Sequence, residues 1–186
     1  RGNFFFFVAR CFWIRPSARF LIKYLVENPV DAIVSTGPPH SMHLVALKVH
    51  QKLHIPWLAD FRDPWTGIDF YHQLKLTSLA DRKHRMLEKK VLSEATAITV
   101  VSRDMVDEFK TLVDRDYNLV TNGFDETDIA PLPLGQLDEQ FTISHIGSIN
   151  ASRNPTGLWR VLSSMVKSNQ SFAAAMRIKL EDKDDI

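Results

Sequence analysis

The segment DAIVSTGPPHS, residues 31–41, ends in polar side chains that could take part in chemistry. The residues after Asp31 are mostly apolar or β-branched. Gly37 lets a ligand approach the backbone, and the two prolines that follow stiffen the turn. We expect Ser41 to cap the next helix and His40 to point outward from its start. Free N–H groups at a helix N-terminus attract anions such as phosphate. The alternative is that the segment is only a well-capped turn between a strand and a helix.

A second group of such side chains ends the segment PWLADFRDPW, where Asp60, Arg62, Asp63 and Trp65 follow an apolar run. Two carboxylates and a guanidinium could act as acid, base and anion clamp, or could orient sugar hydroxyls over the indole face. His40, Asp60 and Asp63 are therefore the candidate catalytic residues. The same spacing also fits an Arg–Asp pair that only fastens the loop.

The histidines raise the question of a metal, because His40 and His43 lie three residues apart and His50 and His54 lie four apart. No third ligand of matching spacing follows, and the H-E-x-x-H pattern of zinc enzymes is missing from the sequence. The G-x-S-x-G turn of serine hydrolases is missing as well. The sequence therefore predicts neither a metal site nor the chemistry of a serine hydrolase.

The elements that must position these loops alternate along the chain. Short apolar runs typical of buried strands lie at 31–36, 56–61, 97–102 and 117–123, and apolar stripes at helical spacing lie at 17–28, 41–54, 74–93 and 105–113. Strands that alternate with helices of this length imply right-handed crossovers and a mostly parallel sheet. The predicted fold is α/β, a Rossmann-like parallel sheet with helices on both faces.

Two more strand ends carry polar residues. Ser102 ends the third strand and is placed to cap a helix, and Asn122 and Gly123 end the fourth. In open parallel sheets ligands bind beyond the carboxyl ends of the strands. We therefore expect the four loops to gather along one edge of the sheet. A tight Asn-Gly turn without a ligand is the simpler alternative at the fourth strand.

The domain organisation follows from a change in composition after residue 123. Residues 1–123 form the first predicted domain, and residues 124–140, rich in proline and acid, have the composition of a linker. Residues 141–186 restart the cycle of strand, turn and helix. They predict the beginning of a second Rossmann-like domain, truncated, and the start at Arg1 without a methionine suggests a fragment as well.

Composition excludes few functions. The chain has 186 residues and a formal net charge of +1, so its overall charge does not favour binding to nucleic acid. With one cysteine it cannot form an internal disulfide. A single cysteine fits a reducing compartment, so we expect a cytoplasmic protein. The most apolar run is far shorter than a membrane span. A basic helix around 74–93 and the aromatic segment 4–13 allow peripheral contact with the inner face of a membrane.

Five motifs in order resemble family 4 retaining glycosyltransferases. They are DAIVSTGPPHS, PWLADFRDPW, AITVVSRDMVDEF, LVTNGFD and FTISHIGS with SRNPTGLWRVL, and the resemblance covers about residues 12–172. The resemblance implies two Rossmann-like domains that face each other across a cleft. It also implies transfer of a sugar from a nucleotide-sugar to a saccharide or lipid-linked acceptor, with retained configuration and without a metal or other cofactor, as in polysaccharide biosynthesis.

Carried over by position, the resemblance implies a set of binding residues. The acceptor side would be lined by Gly37, His40, Ser41, Arg62, Trp65, Ser102, Asn122 and Gly123. The donor diphosphate would lie near Gly147, Ser148 and Arg153, although the family usually has an arginine after the glycine and a lysine further on. The family's paired-glutamate motif is missing from the sequence given. We therefore do not expect this chain to catalyse transfer by itself.

Two other functions fit the same sequence. A sugar-nucleotide epimerase or hydrolase on the same scaffold would need its catalytic acids in the loop at 60–65. A non-catalytic module would use its basic helix and aromatic segment to bind a membrane or a partner. The oligomeric state, the sugar and the acceptor are not predicted.

Overall fold

The computed structural model describes residues 11–125, 127, 138–147, 149, 151 and 153–181. The chain divides into two compact units, the first ending at Gly123 and the second beginning at Phe124. No helix of the described residues is both long enough and apolar enough to cross a membrane.

Helices and strands alternate through the first unit, as the apolar periodicity predicts. Its elements are α1 (Cys11–Glu27), β1 (Ile33–Gly37), α2 (Ser41–Leu53), β2 (Trp57–Phe61), a 3₁₀ turn (Tyr71–Leu74), α3 (Ser78–Glu94), β3 (Ala97–Val100), α4 (Arg103–Leu112) and β4 (Asn118–Leu119).

The four strands of the first unit form one parallel sheet in the order β1-β2-β3-β4. Every neighbouring pair is parallel. Helical crossovers between consecutive neighbours, which are nearly always right-handed, place α2, α3 and α4 in one layer against the sheet. The predicted α/β class with a Rossmann-like parallel sheet is confirmed.

The core lies on the face of the sheet that carries Trp57, Ala59 and Phe61, all three fully buried. Side chains of a strand alternate between faces, so their neighbours point to the other side. There Val34 is 67% exposed. This alternation differs from the expected burial of the first strand on both faces, because the strand sequence alone does not show which face the helices cover.

Two helix starts differ from their predicted positions. The helix α1 begins at Cys11 and runs through Pro16, whereas the apolar stripe predicted a start at residue 17. A proline removes only one backbone hydrogen bond, and the apolar residues on both sides of it share the buried stripe. The third helix was expected from about residue 74, but α3 starts at Ser78 because the hydroxyl of Thr77 accepts a hydrogen bond from the N–H of Ala80 (3.2 Å).

The second unit contains the predicted strand, helix and strand. They are β5 (Phe141–Ile146), α5 (Thr156–Ser168) and β6 (Met176–Glu181), and β5 pairs with β6 in parallel. A short helix that we did not predict, α6 (Gln170–Ala175), begins where the Asn169 side chain accepts a hydrogen bond from the N–H of Phe172 (3.0 Å). That this unit starts a nucleotide-sugar domain stays a prediction.

Candidate functional site

The carboxyl ends of the four strands lie side by side. Gly37 at the end of β1 pairs with Phe61 at the end of β2. Phe61 pairs in turn with Val100, and Val100 with Leu119. The N–H of Arg62 donates to the carbonyl of Gly37 (3.0 Å), which ties the first two loops together. The loops that follow these four residues, which we call the rim, therefore lie along one edge of the sheet.

A cavity of about 330 Å³ opens at the rim and is lined by Pro38, Arg62, Asp63 and Asn122. It lies between the loops that follow three of the strands. Three of the residues that line it, Arg62, Asp63 and Asn122, are predicted site residues or candidates. Arg62 is exposed and Asp63 half-buried, and within the described part of the chain the two side chains form no ion pair with each other. Both side chains can therefore contact a ligand. This does not support the alternative that they pair with each other only to fasten the loop.

The carboxylate of Asp60 has a structural partner on either side. One oxygen accepts a hydrogen bond from Thr36 Oγ1 and the other from Thr99 Oγ1, both at 2.7 Å. These threonines belong to the strands that flank β2. Asp60 thus links three strands, and Asp63 is the carboxylate that faces the cavity.

His40 and Trp65 are in contact, and this corrects two expectations. Their rings stack 5.1 Å apart with an angle of 9° between the planes. Trp65 is only 4% exposed, so its indole is not an open platform for a sugar. His40 lies against it, with a buried Nδ1 that has no hydrogen-bond partner among the described residues, and does not point outward. Burial, with a contribution from nearby His84, lowers the pKa of His40 to about 4.

The expectation that Ser41 caps the second helix is wrong. The residue before the helix is His40, whose backbone is helical (φ −63°, ψ −9°) and whose side chain makes no capping bond. A capping residue needs an extended backbone so that its side chain can turn back to the first free N–H groups. Ser41 instead lies inside the first turn, fully buried, and its hydroxyl accepts a hydrogen bond from Trp13 Nε1 (3.3 Å).

His43 is a core residue beneath the first loop. Its Nδ1 lies 2.8 Å from Ser35 Oγ, which also accepts a hydrogen bond from Trp57 Nε1 (2.8 Å). Burial lowers the pKa of His43 to about 3, and the neighbouring His40 adds to this effect. The ring is therefore neutral at pH 7, and it is part of the scaffold of the rim.

Gly37 is required by the close approach of the two histidines. A Cβ atom at this position would lie 2.6 Å from Nε2 of His43 and 2.9 Å from Nδ1 of His40. Real Cβ contacts are essentially never this short, so a larger residue would push both rings away. We expected this glycine to leave room for a ligand, but it leaves room for the rings of His40 and His43.

Glu88 is a site residue that the sequence analysis missed. Its carboxylate is fully buried and accepts hydrogen bonds from the N–H groups of Trp65 and Thr66, both at 3.1 Å, and from the hydroxyl of Thr66. Burial raises its pKa, although these hydrogen bonds oppose the rise. Glu88 thus fixes the loop that carries Arg62 and Asp63.

His84 lies one turn before Glu88 and supports the same loop. Its Nδ1 accepts a hydrogen bond from Trp65 Nε1 (3.2 Å), and burial lowers its pKa. Both residues lie on the apolar stripe of α3, together with Ala80 and Val91. A charged residue on a buried stripe was the signal that could have identified Glu88. The excess of basic residues in this helix drew attention to its exposed face instead.

The other rim residues are placed as follows. Ser102 caps α4, because its hydroxyl accepts a hydrogen bond from the N–H of Met105 (3.2 Å), as expected. Asn122 lines the cavity, whereas Gly123 is exposed and no described atom would lie within 4 Å of a Cβ placed on it. The structure therefore joins Asn122, but not Gly123, to the pocket.

The predicted diphosphate residues belong to the second unit. Gly147 has a positive φ of 124°, and its N–H donates to the carbonyl of Glu181 (2.8 Å). Arg153 is exposed and precedes α5, whereas Ser148 lies outside the described residues. Among the residues that the structure does describe, no cluster of His, Cys, Asp or Glu side chains could hold a metal ion.

A comparison with protein families bears on this arrangement. Residues 5–123 match the model of the glycosyl transferase 4-like domain, and the match ends where the first unit ends. The chain belongs to the glycosyltransferase 4-like family. The matched residues of this glycosyltransferase 4-like chain include the whole rim. No curated protein gives a significant match.

Proposed function

We propose that the chain forms the acceptor side of an enzyme that transfers a sugar, with retention of configuration, from a nucleotide-sugar to a saccharide or lipid-linked acceptor. The observation that carries this proposal is the cavity between Pro38, Arg62, Asp63 and Asn122, at the edge where parallel sheets bind ligands and within the part of the chain that matches the family. Cytoplasmic polysaccharide synthesis is the setting that we propose for it.

The side chains around the cavity suit a phosphorylated or hydroxyl-rich ligand. The carboxylate of Asp63 accepts hydrogen bonds from hydroxyl groups, and the amide of Asn122 both donates and accepts. The guanidinium of Arg62 binds a phosphate through two parallel hydrogen bonds, which suits an acceptor that carries a lipid phosphate.

A division of roles among the candidate catalytic residues follows from their surroundings. Asp60 is engaged by two threonine hydroxyls, so Asp63 is the carboxylate available to receive a proton from an acceptor hydroxyl. His40, whose lowered pKa keeps it neutral at pH 7, contributes a hydrogen-bonding group beside the loop without adding a charge. In the second unit, Gly147 and the N-terminus of α5 with Arg153 are the proposed contacts of the donor diphosphate.

A transfer assay tests this function. The full-length gene product is incubated with radiolabelled sugars linked to UDP, GDP, ADP or dTDP, together with a membrane extract that supplies saccharide and lipid-linked acceptors. We expect label from at least one donor to appear in an acceptor. We also expect Arg62→Ala and Asp63→Asn to lower kcat/KM at least about tenfold, because each removes a charged contact with the acceptor.

The matched control is Asp114→Asn, at the opposite edge of the sheet, where Asp114 lines a separate groove near the start of β4. This variant should transfer like the unmodified enzyme. Transfer from no donor would contradict the proposal, and so would an equal loss in Asp63→Asn and Asp114→Asn. Release of free sugar without any labelled acceptor would instead identify a hydrolase.

A further inference from the structure

A second surface of the first unit is strongly basic. A groove of about 760 Å³ runs between α1 and α2. Five exposed cations and one acid, Glu27, line it, and the cations are Arg15, Arg19, Lys23, Lys48 and Lys52. The chain as a whole has a net charge of only +1. The positive charge is therefore concentrated on this groove.

A second groove, of about 470 Å³, continues the basic surface towards α3. It shares Arg15 and Lys48 with the first groove and adds Lys83 and Lys90. Of these, Lys90 lies 3.6 Å from Glu94. Within the described ranges the five cations of the first groove form no ion pair with an acid. Their charge is therefore available to an anionic partner.

Exposed aromatic rings accompany these cations on α1. Phe20 is 68% exposed and Tyr24 is 50% exposed, and their rings stack 6.2 Å apart with an angle of 12°. Val26, 65% exposed, lines the basic groove itself. Exposed apolar residues beside lysines and arginines are typical of helices that lie in the interface of a lipid bilayer.

We propose that α1 and α2 bind the surface of a bilayer that contains anionic lipids. The lysines and arginines contact the lipid head groups, and Phe20 and Tyr24 enter the interface. A soluble phosphate compound would use the cations but would not bury the two rings, which is why the partner is a bilayer. This inference concerns where the protein is held, and it does not depend on the proposed transfer reaction.

The structure also moves the surface from the place that the sequence suggested. The basic run of the third helix drew attention to Arg82, Lys83 and Arg85, of which only Lys83 lines a groove, the second one. Arg85 forms an ion pair with Asp81 at 3.1 Å, and neither arginine lines either groove. The α1 and α2 surface is therefore the better candidate for a negatively charged membrane.

Vesicle sedimentation of the full chain tests the proposal. Vesicles of phosphatidylcholine with about 30% phosphatidylserine should bind the protein, and pure phosphatidylcholine should bind it at least about tenfold more weakly, because the anionic leaflet attracts each basic residue. The double variant Lys23→Glu and Lys52→Glu should lose at least about tenfold in affinity. The matched control, Lys89→Glu with Lys110→Glu, makes the same change of charge on exposed residues outside both grooves and should bind normally.

The aromatic residues separate a bilayer from a soluble ligand. The variant Phe20→Ser with Tyr24→Ser should bind anionic vesicles more weakly even at high salt, where screening has removed most of the electrostatic attraction. Circular dichroism checks the fold of each variant, and Lys23→Gln with Lys52→Gln replaces the glutamate pair if that pair does not fold. Equal binding to both kinds of vesicle would overturn the proposal. So would a loss in the control pair equal to that of the groove pair, or binding of inorganic pyrophosphate alone that is indifferent to the aromatic variant.

Discussion

Glu88 holds a carboxylate in the core, where it is the common acceptor for three donors of the loop at 65–66. Burying a carboxylate is costly unless its oxygens are hydrogen-bonded, and here they are. The same arrangement makes the loop dependent on one side chain. Arg62 and Asp63 come just before the fastened residues, so Glu88 positions them without touching the cavity.

Replacing Glu88 with alanine should destabilise the first unit by about 2–5 kcal/mol, because it leaves three buried donors without an acceptor. Urea unfolding measures this. The control is Glu94→Ala on the same helix, which removes a surface carboxylate and should cost at most about 1 kcal/mol. Similar losses in the two variants would show that Glu88 is not the anchor of the loop.

The close packing around Gly37 can also be tested by its effect on stability. Gly37→Ala should cost about 1–3 kcal/mol, because its Cβ would collide with the rings of His40 and His43. Gly123→Ala, where the described structure leaves open space, should change the free energy of unfolding by less than about 1 kcal/mol. A stable Gly37→Ala protein with unchanged transfer activity would contradict the packing described for the rim.

The helices α2 and α4 both begin near a serine, but only α4 is capped by one. Ser41 and Ser102 both precede or begin a helix in the sequence, yet only Ser102 caps one. The backbone before α4 is extended (φ −143°, ψ 158°), so the Ser102 hydroxyl can reach the free N–H of Met105. The backbone before α2 is already helical.

Ser102→Ala should therefore destabilise α4 by about 1 kcal/mol, because one N–H at the start of the helix loses its acceptor. Thermal unfolding followed by circular dichroism measures the change. Ser102→Asp keeps an acceptor at the same place and should restore most of the stability. If the alanine and aspartate variants are equally unstable, the hydroxyl does not act as a cap.

The sequence predicted the order of the elements well and their details less well. Periodic apolar residues depend on local spacing, so β1, α2, β2 and β3 could be predicted. The loops that carry Arg62, Asp63 and Asn122 could be predicted because parallel strands end at one edge. The burial of Trp65 could not, because it depends on His40 and on residues of α3 that are distant in sequence.

For the whole first unit, the buried histidines predict a dependence of stability on pH. The folded state lowers the pKa of His40 to about 4 and of His43 to about 3, from an ordinary value of 6.5. The unfolded chain then binds more protons below pH 6.5, so the stabilisation is complete above pH 6.5 and is lost as the pH falls towards the folded values.

Urea unfolding between pH 7 and pH 5.5 should therefore show a decline, approaching about 1.4 kcal/mol per pH unit for each ring once the pH is below 6.5. The variant His43→Gln, though less stable, should show a smaller slope. An unchanged slope in this variant would indicate that the ring is not held neutral by burial. Burial raises the pKa of Glu88, so this carboxyl group holds its proton more tightly in the folded state and works against the decline.

Acceptor binding at the rim requires the loops after β1, β2 and β4 to act together at one edge of the sheet. Hydrogen–deuterium exchange of the backbone amides, with and without the acceptor that the transfer assay identifies, tests this most directly. We predict that the acceptor slows exchange in residues 40–41, 61–66 and 120–123 together and leaves residues 114–118, at the opposite edge, unchanged. Slowing at 114–118, or at only one of the three rim segments, would contradict an acceptor site at the rim.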